Sequence, residues 1–328
     1  MSGGRVAAGH GGNRGWLKRV CPGLALVAVV AIVTGFDATG VFAQDKGSLN
    51  PRPLPRLTNP DDPALAAKEL FGRQPLPANS PARAIGSYAR GCLAGATALP
   101  INGRTWQVMR LSRNRNWGHP DLVSYLERLA ERAPRVGWRG LLVGDMAQAR
   151  GGPMLTGHAS HQIGLDADIW LTPMPEREFT RREREEISAT QMVAKDRRDV
   201  DPRVWTPAHV GIIRAAAQDP AVDRIFVNAA IKKALCRADD RDRRWLAKVR
   251  PWWGHDYHFH VRIGCPAGSA WCEPQAAVPT GDGCGKELDY WFSDAVLNPP
   301  PPKTPPKPRP PLRLADLPAA CRQVVLAP

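Results

Sequence analysis

Two short stretches hold most of the histidine in this 328-residue chain. Residues 158–168 read HASHQIGLDAD, and residues 252–261 read WWGHDYHFHV. Five of the eight histidines lie in these stretches. Imidazole is the commonest metal ligand and the commonest proton carrier near neutral pH. The clustering therefore predicts that the two stretches meet at a metal-binding or catalytic site.

The second stretch predicts a β-strand over residues 257–265, YHFHVRIGC, because apolar and polar residues alternate there. His258 and His260 are two positions apart, so their side chains leave the same face of the strand. Phe259 and Val261 point the other way, toward a core. One face of this strand is therefore used for polar chemistry and the other for packing.

The first stretch supplies a carboxylate. LDADIWL (165–171) alternates and predicts a second strand, and Gly164 permits a sharp turn before it. His161 and Asp168, on either side of this turn, can face one point. With one strand histidine they make two histidines and a carboxylate, the composition of a catalytic zinc site with a fourth position open to water. The residues alone do not decide which strand histidine is the third ligand.

Other kinds of site explain less of the pattern. A serine hydrolase built on Ser160 lacks the G-x-S-x-G turn. A redox metal site fits the ligand types alone, and a structural zinc would prefer four closed ligands that include cysteine. A catalytic zinc site is the hypothesis that uses all the residues.

The charge of the chain argues against one class of partner. The formal net charge is +14, but basic residues are mixed with acidic ones, as in RREREE (181–186). No lysine or arginine tract is interleaved with aromatic residues, so we expect no nucleic-acid binding. An anionic polymer outside the cell suits the charge equally well.

The N-terminus predicts export. Four basic residues precede the apolar run 23–36, and Val41 and Ala43 are the small residues before a cleavage ahead of Gln44. The run is shorter than the roughly 20 residues of a comfortable membrane span. We therefore expect residues 1–43 to be a signal peptide, with a periplasmic mature chain and no membrane contact after cleavage. An uncleaved anchor is the alternative.

The mature chain divides by composition into three parts. Residues 44–84, rich in Pro, Asn and Asp, predict an extended lead-in. Over 85–297, helices and strands mix without a βαβ rhythm, which favours an α+β domain with a small, mainly antiparallel sheet carrying the site and helices around it. Residues 298–328 begin as polyproline-like chain and end near a cysteine that would tie the tail back.

Two helices are predicted at specific positions. Residues 120–133 place Pro120 at the first helical position, with apolar residues on one face. Thr180 and Glu183 make a capping box for a charged helix over about 181–195, whose charges are most simply a solvated face.

Cysteine usage agrees with export. Six cysteines follow the leader, and an even number in an exported chain indicates disulfides. Cys265 and Cys272 are the easiest pair to close, but six cysteines permit 15 pairings.

Several motifs occur in a specific order over about residues 85–295. They are YARGCLAGATALP, GHPDLV, GHASHQIGLDADI, RIFVNAAIKK, VRPWW and GDGCG. The third contains H-x-x-G-x-x-x-D, and an H-x-H follows in the second stretch. The set resembles the penicillin-insensitive murein endopeptidase family, within the zinc peptidase superfamily of D-Ala-D-Ala metallopeptidases, lysostaphin-type enzymes and the hedgehog domain.

The resemblance implies a role for each site residue. The Zn²⁺ ligands would be His161, Asp168 and His260, with His158 beside them as a further candidate ligand. His258 would be the base or electrostatic partner of the reacting water, and His255 a further catalytic-site residue. Asp196 and Asp199 lie where family members can carry an extra metal-binding position, but no histidine accompanies them, so they stay unassigned.

The resemblance also implies a disulfide pattern and an activity. The nested disulfides would be Cys92–Cys321, Cys236–Cys284 and Cys265–Cys272. The activity would be periplasmic hydrolysis of D-alanyl–meso-diaminopimelyl cross-links in peptidoglycan. A zinc D,D-carboxypeptidase or dipeptidase on the same site, or a non-catalytic wall-binding module, are the alternatives. Nothing in the sequence predicts the oligomeric state.

Overall fold

A computed structural model describes residues 46–238, 241–302, 304 and 309–328. The expected signal peptide, residues 1–43, lies outside these described residues. The helices are α1 Ala67–Phe71, α2 Pro120–Arg132, α3 Arg181–Glu186, α4 Pro207–Ala217, α5 Ala229–Arg237, α6 Lys286–Tyr290, α7 Asp294–Leu297 and α8 Ala320–Leu326. The strands are β1 Arg83–Ser87, β2 Arg90–Ala94, β3 Thr97–Ala98, β4 Asn102–Gly103, β5 Trp106–Val108, β6 Trp117–Gly118, β7 Leu141–Val143, β8 Asp166–Trp170, β9 Val222–Val227, β10 Val249–Pro251 and β11 His258–Ile263.

One mixed sheet organises the described part of the chain. Its seven strands run in the order β10-β9-β11-β8-β7-β5-β4. The neighbours β9, β11, β8 and β7 are antiparallel, while β10–β9 and β5–β7 are parallel pairs. The α+β class is confirmed, but the sheet is larger and more mixed than expected. The outer strands β4, β5 and β10 have only two or three residues each, too few to show a period in sequence.

The two predicted strands are neighbours at the centre of this sheet. β8 and β11 pair antiparallel with His260 opposite Asp168. Ala167 and Phe259 point to the opposite face and are fully buried in the main hydrophobic core. Apolar packing on that face fixes the register of the polar residues, since a shift of one residue would turn every side chain over.

The two predicted helices have different outcomes. α2 forms as expected and buries its apolar face, with Pro120 in its first turn. The capping box of Thr180 and Glu183 also forms, but α3 ends at Glu186. Its charges are not all solvated: Arg184 is 2% exposed and donates to the carbonyl oxygen of Val108 at 2.9 Å. Bonds to distant backbone groups, which sequence does not show, therefore hold α3 in place.

The two ends of the described chain build a second core. Residues 46–65 form no helix or strand, but α1 follows them within the expected lead-in. Phe71 of α1 and Val325 of α8 are fully buried in the same cluster, which also contains the disulfide Cys92–Cys321. The lead-in and the tail thus pack together on the strand β2 that holds Cys92.

The other four cysteines form Cys236–Cys284 and Cys265–Cys272. All three disulfides are the pairs that the family resemblance implied. None of the helices in the described residues has the length and apolar character required to cross a membrane.

Candidate metal centre

The turn that precedes β8 places the first histidine of the site. His161 has φ of +67°, in the left-handed region that non-glycine residues rarely adopt. Its backbone N–H donates to Oδ2 of Asp166 at 3.0 Å, which stabilises this conformation. Gly164 also has a positive φ, and a Cβ there would lie 2.4 Å from a methyl carbon of Leu93. The turn therefore needs glycine at 164 and a carboxylate at 166.

One carboxylate oxygen of Asp168 lies among three imidazoles. From Oδ1, the distances are 3.0 Å to Nδ1 of His260, 3.5 Å to Nε2 of His161 and 3.6 Å to Nε2 of His258. This oxygen is buried and has no hydrogen-bond partner among the described residues. Ligand atoms on a tetrahedral zinc ion are about 3.3 Å apart, given bonds of roughly 2.0–2.1 Å. The separations of 3.5 and 3.6 Å are longer than ordinary hydrogen bonds, and all three lie close to the spacing expected for atoms that share one ion.

The ring nitrogens nearby are also unpaired. Both ring nitrogens of His161 and Nδ1 of His258 are buried without a hydrogen-bond partner in the described part of the chain. Buried polar atoms in folded proteins nearly always have a partner. Three ligand atoms, one each from His158, His161 and Asp168, lie within 4.8 Å of one another and can hold a metal ion.

Asp166 holds two of these residues at once. Besides accepting from the backbone of His161, it lies 3.1 Å from Nε2 of His260 and accepts from Nε of Arg262 at 2.7 Å. Burial alone would raise the pKa of Asp166, but Arg262 and His260 hold it below its usual range. A carboxylate on the outer nitrogen of a histidine is the usual neighbour of a histidine that binds metal. This arrangement leaves Nδ1 of His260 facing Asp168.

His158 has a competing partner. Its Nε2 lies 3.1 Å from Oδ2 of Asp145 and 3.4 Å from Oδ2 of Asp168. Arg113 and Arg115 each donate to the same Asp145 oxygen at 2.9 Å. Burial lowers the pKa of His158, but the Asp168 and Asp145 carboxylates outweigh it and raise this pKa above its usual value. Its side chain is 27% exposed, the most accessible of this group.

The other two histidines favour the neutral form. Burial lowers the pKa of His258 to about 4. Burial and the neighbouring His258 lower the pKa of His255 well below its usual value. Nδ1 of His255 lies 2.7 Å from the carbonyl oxygen of Trp253, and its ring centroid is 4.8 Å from that of His258. Both imidazoles are therefore neutral at neutral pH.

Two aromatic residues beside the site are at the surface. Trp252 and Trp253 are 54% and 50% exposed, so they are not simple core residues. The Trp252 ring contacts Phe226, whose ring centroid is 5.4 Å from that of His260. The Trp252 ring thus lies near the histidine group through Phe226, while the Trp253 ring packs on Trp291 with the ring centroids 5.0 Å apart.

Sequence reasoning found the histidines and Asp168 but missed three supporting residues. Asp145, Asp166 and Arg262 are all buried. Asp166 and Arg262 could have been found as charged residues inside predicted strands, where burial requires a partner. Asp199, which was left unassigned, pairs with Arg237 at 2.7 Å instead.

The fold and the site together define a class: an α+β protein with a buried group of histidine and aspartate that can hold a metal ion. A sequence profile described as penicillin-insensitive murein endopeptidase matches residues 84–326. The chain therefore belongs to the penicillin-insensitive murein endopeptidase family, as its motifs predicted.

Similar proteins cover most of the chain. A penicillin-insensitive murein endopeptidase of Haemophilus influenzae is 48% identical over 260 residues, which are 78% of this chain and 87% of that protein. One from Klebsiella pneumoniae is 46% identical over 237 residues, 72% of this chain and 86% of its own. One from Escherichia coli is 44% identical over 254 residues, 77% and 88% of the two chains.

Proposed function

We propose that the protein is an exported zinc endopeptidase that hydrolyses D-alanyl–meso-diaminopimelyl cross-links of peptidoglycan. The observation that carries the proposal is the buried Oδ1 of Asp168, which has imidazole nitrogens at 3.0, 3.5 and 3.6 Å and no hydrogen bond. Family membership supplies the substrate class, and the basic net charge of +14 suits an anionic wall polymer.

Three residues are the proposed zinc ligands: Nε2 of His161, Oδ1 of Asp168 and Nδ1 of His260. His260 is preferred to His158 because the Asp166 carboxylate lies 3.1 Å from its outer nitrogen, within reach of the bond that a metal-binding histidine makes there, although Nε2 has no hydrogen-bond partner among the described residues. His158 instead interacts with Asp145. Two histidines and one carboxylate match catalytic zinc sites that keep a position open for water. The proposed role of His158 is to orient the free oxygen of Asp168.

The remaining chemistry needs no side-chain nucleophile. When bound, zinc polarises a carbonyl oxygen and makes water a stronger nucleophile near neutral pH. The proposed role of His258, whose Nε2 lies 3.6 Å from the Asp168 ligand oxygen, is to accept the proton of the attacking water and to return it to the leaving amine. His255 is held beside it through the carbonyl oxygen of Trp253 and positions the substrate or the proton acceptor.

The domain organisation is part of the proposal. Residues 1–43 serve as the signal peptide, and residues 85–297 carry the catalytic chemistry in the periplasm. The described parts of the lead-in and of the tail pack together in the cluster around Cys92, and the Cys92–Cys321 disulfide ties the tail to that domain.

Digestion of purified muropeptides tests the function. Cross-linked dimers should fall to monomers, and the reaction should stop with a zinc chelator. Penicillin should leave it unchanged because no serine acts as the nucleophile in the proposed reaction. Loss of a single terminal D-alanine without a fall in dimer would support a D,D-carboxypeptidase instead. Wall binding without any cleavage would support a binding module.

A further inference from the structure

A cavity of about 270 Å³ lies beside His158, and the two ends of the described chain form one of its walls. Lys68 comes from α1, and Pro310, Pro311 and Leu312 come from the tail. Because His158 belongs to the candidate metal group, the cavity adjoins the proposed reaction centre. Its volume is several times the ~30 Å³ of a water molecule, enough for a short piece of peptide.

The wall is tied to the domain at several points. The backbone N–H of Ala67 donates to the carbonyl oxygen of Leu312 at 2.7 Å, and Ala66 and Arg313 form a β-bridge. The Cys92–Cys321 disulfide anchors the segment that follows. Lys68 and the proline segment are therefore held in a fixed relation to each other.

One lysine, Lys68, lines this cavity. The other polar lining residue beside His158 is Gln162, whose amide donates to the carbonyl oxygens of Ala89 and Ala159 and accepts from the backbone of Gly91. No acidic residue lines the cavity, and the Lys68 side chain makes no hydrogen bond or ion pair with another described residue. The remaining lining side chains are aliphatic. Lys68 thus contributes one permanent positive charge to a lining whose other residues, apart from His158 and Gln162, are apolar.

We propose that this cavity is a substrate subsite in which Lys68 binds a carboxylate of the peptidoglycan stem peptide. The inference rests on the proposed function, and it concerns specificity rather than the chemistry. A charge-assisted bond from an ammonium to a carboxylate is stronger than a neutral one, and the apolar walls of Pro310, Pro311 and Leu312 reduce its competition with water. The carboxylate belongs either to a terminal D-alanine or to diaminopimelate.

Synthetic cross-linked peptides test the subsite. Three substrates are compared by kcat/KM: one with all carboxylates free, one amidated at the terminal D-alanine and one amidated at diaminopimelate. We expect the wild-type protein to lose about 10-fold on only one of the two amides, which identifies the carboxylate. Lys68→Met should lose a similar factor on the free acid and cleave that amide at the wild-type rate. Lys68→Arg should keep part of the preference.

Two further variants separate the subsite from general effects. Lys286→Met removes the same charge at an exposed position of α6 outside the cavity. It should leave the ratios of kcat/KM among the three substrates unchanged. Pro311→Glu places a carboxylate at an exposed position of the wall and should selectively weaken cleavage of the free acid. If Lys68→Met lowers cleavage of all three substrates equally, or none, the subsite is wrong. If the wild type cleaves none of them, the proposed function itself fails.

Discussion

Two regions of different origin lie on either side of His158, which is 3.4 Å from Asp168 of β8 and also lines the cavity beside α1 and the tail. One is made by β8 and β11 at the centre of the seven-stranded sheet, where every residue of both strands is buried. The other is made by α1 and the proline segment, which join no strand of that sheet. Metal chemistry requires ligand atoms held to within a few tenths of an ångström, and buried paired strands provide that. Substrate contacts tolerate more movement, so chain ends fastened by a disulfide can provide them.

The largest expected effect on zinc binding and cleavage is at Asp168 in the strand pair β8–β11. Asp168→Asn removes the charged ligand oxygen while keeping its shape, and should abolish zinc binding and lower dimer cleavage by at least about 1000-fold. Atomic absorption and muropeptide digestion measure the two effects. If the variant retains zinc and cleaves dimers normally, Asp168 is not a zinc ligand.

A second effect concerns the support behind the ligands. Asp166→Asn keeps the hydrogen bond to the His161 backbone possible but removes the charge that faces His260 and Arg262. Zinc affinity should fall by about 10- to 100-fold, measured by competition with a chromogenic chelator. The matched control is Asp199→Asn, which alters a surface ion pair with Arg237 and should bind zinc like the wild type. Equal losses in both variants would point to general destabilisation.

Removing the Cys92–Cys321 disulfide should affect the packing of the tail but not zinc binding by the strands. The double variant Cys92→Ser with Cys321→Ser should reduce the free energy of unfolding by about 2–5 kcal/mol, read from denaturant titration. Zinc stoichiometry should stay the same because no proposed ligand lies on the tail. If zinc is lost while the sheet stays folded, zinc binding by the strands depends on the packing of the tail.

The smallest effect is expected at the exposed aromatic residues beside the site. Trp253→Ala should slow digestion of intact wall several-fold, since a half-exposed ring supplies a modest contact area. Trp271→Ala, which removes a tryptophan that is 60% exposed in the loop closed by Cys265–Cys272, is the control. A matching loss in the control would assign the effect to surface hydrophobicity in general.

The sequence predicted the candidate metal ligands better than the buried residues that hold them in position. His258 and His260 could be placed on one strand face because side chains alternate with a period of two. Asp166 could not be assigned a role, since its contact with Arg262 joins residues 96 positions apart. Likewise, the sequence showed neither the extended backbone at Ile187, which ends α3 at Glu186, nor the bonds from Arg184 to distant carbonyl groups. Lys68 lies in a segment without periodicity, so only packing against the tail shows its position.

Crystals grown with zinc, measured on both sides of the zinc absorption edge, test the central claim most directly. The account predicts one anomalous peak within about 2.3 Å of Nε2 of His161, Oδ1 of Asp168 and Nδ1 of His260. A peak coordinated by His158 in place of His260, or no peak among these strands, would contradict it.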